Sequence, residues 1–303
     1  MQKNSLWKLQ YCAKKKRENS FYIYQTLEIQ NFIKRFFKIY RLLLNDFSLK
    51  YSNSNLEIFI SYYTTVQSFK ILQKNLKTKN FFLRSKPNYK FKTYKNILKP
   101  KNRLKLISFV KKGFLKKTIC NNSTKVINNF SEVLLESLSL FLKKKIKIKL
   151  ILQNLNKGIS FRFTKEKLEH FKIILIQLRK FIKNLFFKET INILTLVISK
   201  VINLHVLTEF IAFQFSVIKK HNSFLIFLKH SIELLQKSHF SALKGLKILI
   251  KGRLNGAPRA RNKLIQSGSV PLQNYKSKII KSNTTSYTPN GTFSISAWSC
   301  VKD

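Results

Sequence analysis

The chain has 303 residues, with 59 lysines and arginines against 12 aspartates and glutamates, a formal net charge of +47. A globular surface so charged repels itself and calls for a polyanion beside it, either nucleic acid or an anionic membrane. Its hydrophobic fraction of 44% excludes a disordered basic tail, and its length suits one large or two ordinary domains.

Residues 1–26 read as a basic, extended N-terminal arm without an apolar signal core. Residues 27–45 place Ile29, Phe32, Ile33, Phe36, Phe37 and Tyr40 at helical spacing, with lysine and arginine on the other face. Residues 53–61 read as a strand, because Leu56, Ile58 and Ile60 alternate with other residues. Residues 64–130 show no sustained period. Basic residues there interleave with tyrosine and phenylalanine, and Pro87 and Pro100 punctuate the run. Such a segment suits either RNA tracking, with lysines on phosphates and rings on bases, or a tolerated surface insertion.

Residues 130–142 read as a short amphipathic helix. In residues 144–152, Ile146, Ile148 and Leu150 alternate with Lys145, Lys147 and Lys149, a half-buried strand with a cationic face. Residues 164–184 predict a helix that starts at Thr164 and buries Leu168, Phe171, Leu175, Leu178 and Ile182. The most apolar stretch, Ile191 to Ile218, is broken by Lys200, His205 and Glu209. A membrane span needs about 20 nearly uninterrupted apolar residues, so this stretch reads instead as a strand over 189–198 and a helix over 204–219. No membrane span is expected.

Residues 242–280 read ALKGLKILIKGRLNGAPRARNKLIQSGSVPLQNYKSKII. This resembles the ribosomal protein S3 family of the small subunit. There, a strand near K-G-I-K-V leads into G-R-L-x-G-A-x-x-A-R, a helix, and then G-x-V-P-L. The matching residues begin with Lys244, Gly245 and Lys247. They continue through Gly252, Arg253, Leu254, Gly256, Ala257, Ala260 and Arg261 to Gly268, Val270, Pro271 and Leu272. Residues 188–215 resemble the family's last KH strand and following helix, and Thr285, Tyr287 and Gly291 its final hairpin.

The resemblance implies an α+β fold. A divergent, type II-like KH domain of α-β-β-α-α-β order is expected over 27–222, split by a basic insertion at about 64–143. An α+β C-terminal domain follows over 223–303. Pro258 suits the first turn of a helix. Arg253, Arg259, Arg261 and Lys263 are expected around that helix start, with Lys244, Lys247 and Lys251 on the preceding strand, as an rRNA phosphate site.

Two departures from the family pattern stand out. The Gly-x-x-Gly loop expected before Thr164 has only Gly158. The basic F-R-R-A-M-K helix that meets incoming mRNA aligns with Phe227, Leu228, Lys229, His230, Ser231 and Ile232, or with a run from Phe224. Either way Lys229 is the one strong cation, with Lys219 and Lys220 as further candidates.

Cys12, Cys120 and Cys300 form no CxxC pair, and the five histidines have no zinc spacing. No cofactor or metal is expected. Neither a P-loop nor paired catalytic carboxylates are present, so the chain is not read as an enzyme. The partners implied are small-subunit rRNA, mRNA where it enters the subunit, and neighbouring small-subunit proteins. The preference for residues with AT-rich codons suggests an organellar genome or a very AT-rich nuclear one, and the location expected is the mitochondrial matrix. The alternative is an organellar RNA-processing or splicing-associated protein.

Overall fold

The computed structural model describes residues 9–11, 16–51, 55–72, 118–142, 147–157, 164–238 and 241–302. Residues 73–117, with Pro87 and Pro100, lie outside the described residues. So do Cys12 and residues 158–163, where the Gly-x-x-Gly loop was sought.

The first elements in chain order are β1 (Leu9–Gln10), α1 (Lys16–Ile39), β2 (Leu43–Tyr51), β3 (Asn55–Tyr63), α2 (66–72), α3 (Thr118–Phe141) and β4 (Lys147–Asn154). Among the described residues, the order from α1 onward is helix-strand-strand-helix-helix-strand. The four strands lie side by side as β1-β2-β3-β4, with β1 parallel to β2. The chain divides into two compact units. One comprises residues 1–42, 48–59 and 64–153, and the other 43–47, 60–63 and 154–303.

In the first unit, Ile29, Ile33 and Phe37 of α1 and Phe130, Leu134 and Leu138 of α3 are buried at i, i+4 spacing, so each helix turns one stripe inward. Phe32 stacks on Phe141 at 5.6 Å, and Phe37 meets Phe130 edge-on at 5.6 Å. Two expectations are corrected here. The N-terminal arm is not extended throughout, because α1 begins at Lys16; its first turns hold no glycine or proline to stop the helix. The short helix expected at 130 begins at Thr118. Strand β4 fulfils its alternation, with Lys147 and Lys149 exposed and Ile148 and Leu150 half-buried.

The second unit adds α4 (Lys165–Gln177), α5 (Phe187–Ile198), α6 (Leu204–Val217) and α7 (Asn222–Lys237). These are followed by β5 (Leu243–Gly252), β6 (Arg261–Gly268), β7 (Ile279–Thr288) and β8 (Gly291–Val301). Helix α4 ends earlier than expected, and a 3-10 turn at Arg179–Phe181 follows. Leu178 is buried as expected, but Ile182 is exposed and Ile174 takes the inward position.

The strand expected at 189–198 is the helix α5. β-branched residues disfavour a helix by only tenths of a kcal/mol each, whereas full burial of each Val, Leu or Ile contributes about 1.5–3 kcal/mol. Ile191, Ile193, Leu194, Val197 and Ile198 are all buried. Thr190 and Thr195 donate their buried hydroxyls back to the carbonyls of Phe186 and Ile191 at 2.6 and 2.8 Å.

The second sheet is antiparallel throughout, in the order β6-β5-β8-β7. Helix α6 lies on β7 and β8, and α7 on β5 and β6. Three hydroxyls fasten α6. Ser286 donates to the Ala212 carbonyl at 2.6 Å, Thr284 to the Thr208 carbonyl at 3.1 Å, and Ser282 Oγ lies 2.9 Å from Thr208 Oγ1. The final hairpin β7–β8 is the one the tail motif predicts. Among the described residues, no helix is long and apolar enough to cross a membrane.

Candidate nucleic-acid interface

The G-R-L-N-G motif forms the turn from β5 into β6. Gly252 ends β5 where an added Cβ would lie 2.4 Å from the Phe293 ring, so only glycine fits this close approach. A 3-10 turn follows over Leu254–Gly256, with Asn255 in the left-handed region at φ 56°. Asparagine tolerates that region better than most residues.

Helix α7 holds Asn255 in place. Its side-chain Oδ1 accepts from the His221 backbone N–H at 2.8 Å, its Nδ2 donates to Asn222 Oδ1 at 2.7 Å, and its own N–H donates to His221 Nδ1 at 3.3 Å. Because Nδ1 accepts, the proton sits on Nε2, 3.4 Å from the Phe215 carbonyl oxygen. The buried His221 ring stacks on Phe215 at 4.7 Å and meets Phe293 at 5.3 Å. Burial holds its pKa below the usual histidine value, against the opposing pull of the Phe215 and Ile218 carbonyls. The histidine is therefore a neutral clasp for the turn.

The helix expected after this turn is absent. Arg261–Gly268 forms strand β6, paired with β5 along its whole length. The basic residues therefore do not gather around a helix start, and β-sheet alternation distributes them instead. Arg261 pairs with Gly252 and Lys263 with Ile250, so both share the sheet face that carries the helices. Lys247 and Lys251 alternate onto the opposite face.

Arg253 is exposed in the turn, its Nε donating to the Ala257 carbonyl at 2.8 Å, and Arg259 is exposed just before β6. Lys244 stands at the irregular start of β5, where its carbonyl accepts from Gln236 Nε2 at 2.9 Å. Arg253 and Arg259 thus both stand exposed in the segment between β5 and β6, with Arg261 next along the chain. Lys247 and Lys251 lie apart from them.

Lys219 and Lys220 are exposed in the loop that ends at His221, so the clasp brings that loop to the arginine turn. Lys229 lies further along α7, exposed, 4.0 Å from Glu233. Around it, Phe227, Leu228, Ser231 and Ile232 are buried. Four of the six positions aligned with the basic mRNA motif therefore face the core.

Sequence reasoning missed the clasp and also Lys281 and Trp298. Lys247 Nζ and Lys281 Nζ each lie 5.8 Å from the Trp298 ring centroid. The available signal was the alternation in TFSISAWSC, which puts Trp298 opposite the buried Phe293, Ile295 and Ala297. From Leu234 to Lys302 the chain has no aspartate or glutamate. Among the described residues, no three His, Cys, Asp or Glu side chains are grouped to hold a metal ion.

A four-stranded antiparallel sheet, backed by two helices and free of carboxylates, defines a cationic α+β module. Residues 216–298 match the family model of ribosomal protein S3, C-terminal domain. The chain is 38% identical over 93 residues to the small ribosomal subunit protein uS3c of Chara vulgaris, covering 31% of this chain and 40% of that protein. It is 32% identical over 127 residues to uS3 of Endomicrobium trichonymphae, covering 42% and 52%. It is 34% identical over 94 residues to uS3 of Prochlorococcus marinus, covering 31% and 36%. The matched region spans about half the length of these relatives or less. Over residues 216–298 the chain is therefore similar to the C-terminal domain of ribosomal protein S3.

Proposed function

We propose that the chain is a structural constituent of the mitochondrial small ribosomal subunit, where it binds rRNA in the head beside the path by which mRNA enters. One observation carries the reading: the match over 216–298 falls on a stretch with no carboxylate from Leu234 to Lys302. The relatives are small-subunit proteins of bacteria and of organelle-type uS3c forms. The preference for residues with AT-rich codons favours an organellar origin, and the departures from the family motifs favour the mitochondrion.

In this reading Arg253, Arg259 and Arg261 contact rRNA phosphates, joined by Lys263 and Lys244. Lys219 and Lys220 stand beside the same turn and take over the mRNA-facing role that Lys229 alone cannot fill. In the same reading a divergent KH-like domain spans about 27–222, split by a basic insertion at about 64–143. The C-terminal domain begins near residue 223.

The triple substitution R253E/R259E/R261E tests the rRNA site. It should impair incorporation into small subunits. In binding assays on rRNA it should lower the salt-dependence slope by about three, roughly one per lost phosphate contact. Normal assembly of the triple variant would contradict the site.

A further inference from the structure

The sheet β6-β5-β8-β7 carries α6 and α7 on one face, and register arranges the residues of the other face in rows. One row runs Gln266, Lys247, Trp298, Lys281; another, four residues along, runs Asn262, Lys251, Ser294, Thr285. Between them lie Leu264, Leu249, Ser296 and Asn283. Lys281, Asn283, Thr285 and Tyr287 are exposed, as are Asn262, Leu264 and Gln266.

Two ammonium groups on one ring repel each other. Each stays because the electron-rich face of an indole attracts a cation within about 6 Å of its centroid. Trp298 thus concentrates positive charge at the centre of a face whose strands contain no carboxylate to neutralise it. Around the lysines stand hydroxyl and amide side chains, which donate readily to phosphate oxygens. The apolar side chains of this face, Leu249, Leu264, Trp298 and Tyr287, are interspersed with lysines, hydroxyls and amides, whereas a membrane-inserting surface needs a broad continuous apolar area beside its cations.

We infer that the open face of this sheet is an RNA-docking surface separate from the arginine turn, on which Lys247, Lys281 and Lys251 contact backbone phosphates and Trp298 holds the first two in position. The inference rests on the small-subunit reading, which supplies RNA as the polyanion. It adds that the module meets RNA on both sides. Arg261 and Lys263 lie on the helix-bearing side, and the Lys247–Trp298–Lys281 row lies on the other.

Amine-acylation footprinting of purified small subunits tests it, read by mass spectrometry at Lys247, Lys251 and Lys281, with the free full-length chain as reference. All three should lose reactivity in intact subunits and regain it after ribonuclease digestion. Equal reactivity in subunits and free chain would overturn the inference. Protection that survives ribonuclease would also overturn it, because the cover would then be a protein. In W298L subunits, protection should weaken at Lys247 and Lys281 and persist at Lys251; unchanged protection at all three would remove the ring from the account. Absence of the chain from rRNA-containing particles brings down the small-subunit reading itself, an outcome visible on sedimentation before any footprint is read.

Discussion

Gly245 and Gly268 face each other across β5 and β6. A Cβ on Gly245 would lie 2.3 Å from the Ser269 carbonyl oxygen, and one on Gly268 2.4 Å from that of Lys244. Gly268 also has φ +70°. Backbone atoms cannot step aside as a flexible side chain can, so alanine at either position pushes the two strands apart. Gly245→Ala should destabilise the protein by about 1–3 kcal/mol in denaturant unfolding. His221 makes a second prediction. Its folded pKa lies below its unfolded value, so the unfolded state takes up the proton first. The contribution is present above about pH 6.5 and is lost as the pH falls toward the folded pKa. The loss of stability below that pH should be smaller in His221→Phe, which keeps a ring against Phe215 but cannot titrate. Equal pH slopes in both proteins would contradict the neutral clasp. The motif glycines were legible in the sequence through the resemblance to the family motif that contains them. The clasp was not, because His221 and Asn255 stand 34 positions apart and nothing local to either marks the other.

Strand β4 was legible as an element because it follows a single period, and helix α6, buried on nearly every side, through its likeness to the family's helix. Helix α5 was not. Its polar residues Lys188 and Asn192 do stand four apart, but its β-branched residues point to the wrong choice. Ile193 and Leu194 settle the matter by being adjacent and both fully buried. In a strand with one solvated face, only one of them would be inside. Ile193→Ala and Leu194→Ala should therefore each cost about 2–5 kcal/mol in unfolding experiments. A near-neutral result at either position would contradict the helix. Strand β6 misled in the opposite direction. Pro258 and the following basic residues imitate a helix start, and only pairing with β5 makes the segment extended. That error mattered for function, because it gathered into one cluster cations that the sheet distributes over two faces.

At the scale of the whole molecule, the charge of +47 is the governing fact. Cationic modules with so few carboxylates attract a polyanion at long range, and salt weakens that attraction steeply. The identity of the polyanion was legible from composition only as a class. The motif in the C-terminal third narrowed it, and the matches over 216–298 support that narrowing. The measurement that bears most directly on the central claim is sedimentation of organelle lysate through a sucrose gradient, with the chain followed by mass spectrometry. The account predicts co-migration with the small subunit and with monosomes, persisting through moderate salt and lost after ribonuclease. Migration in light or membrane fractions, away from rRNA, would contradict it.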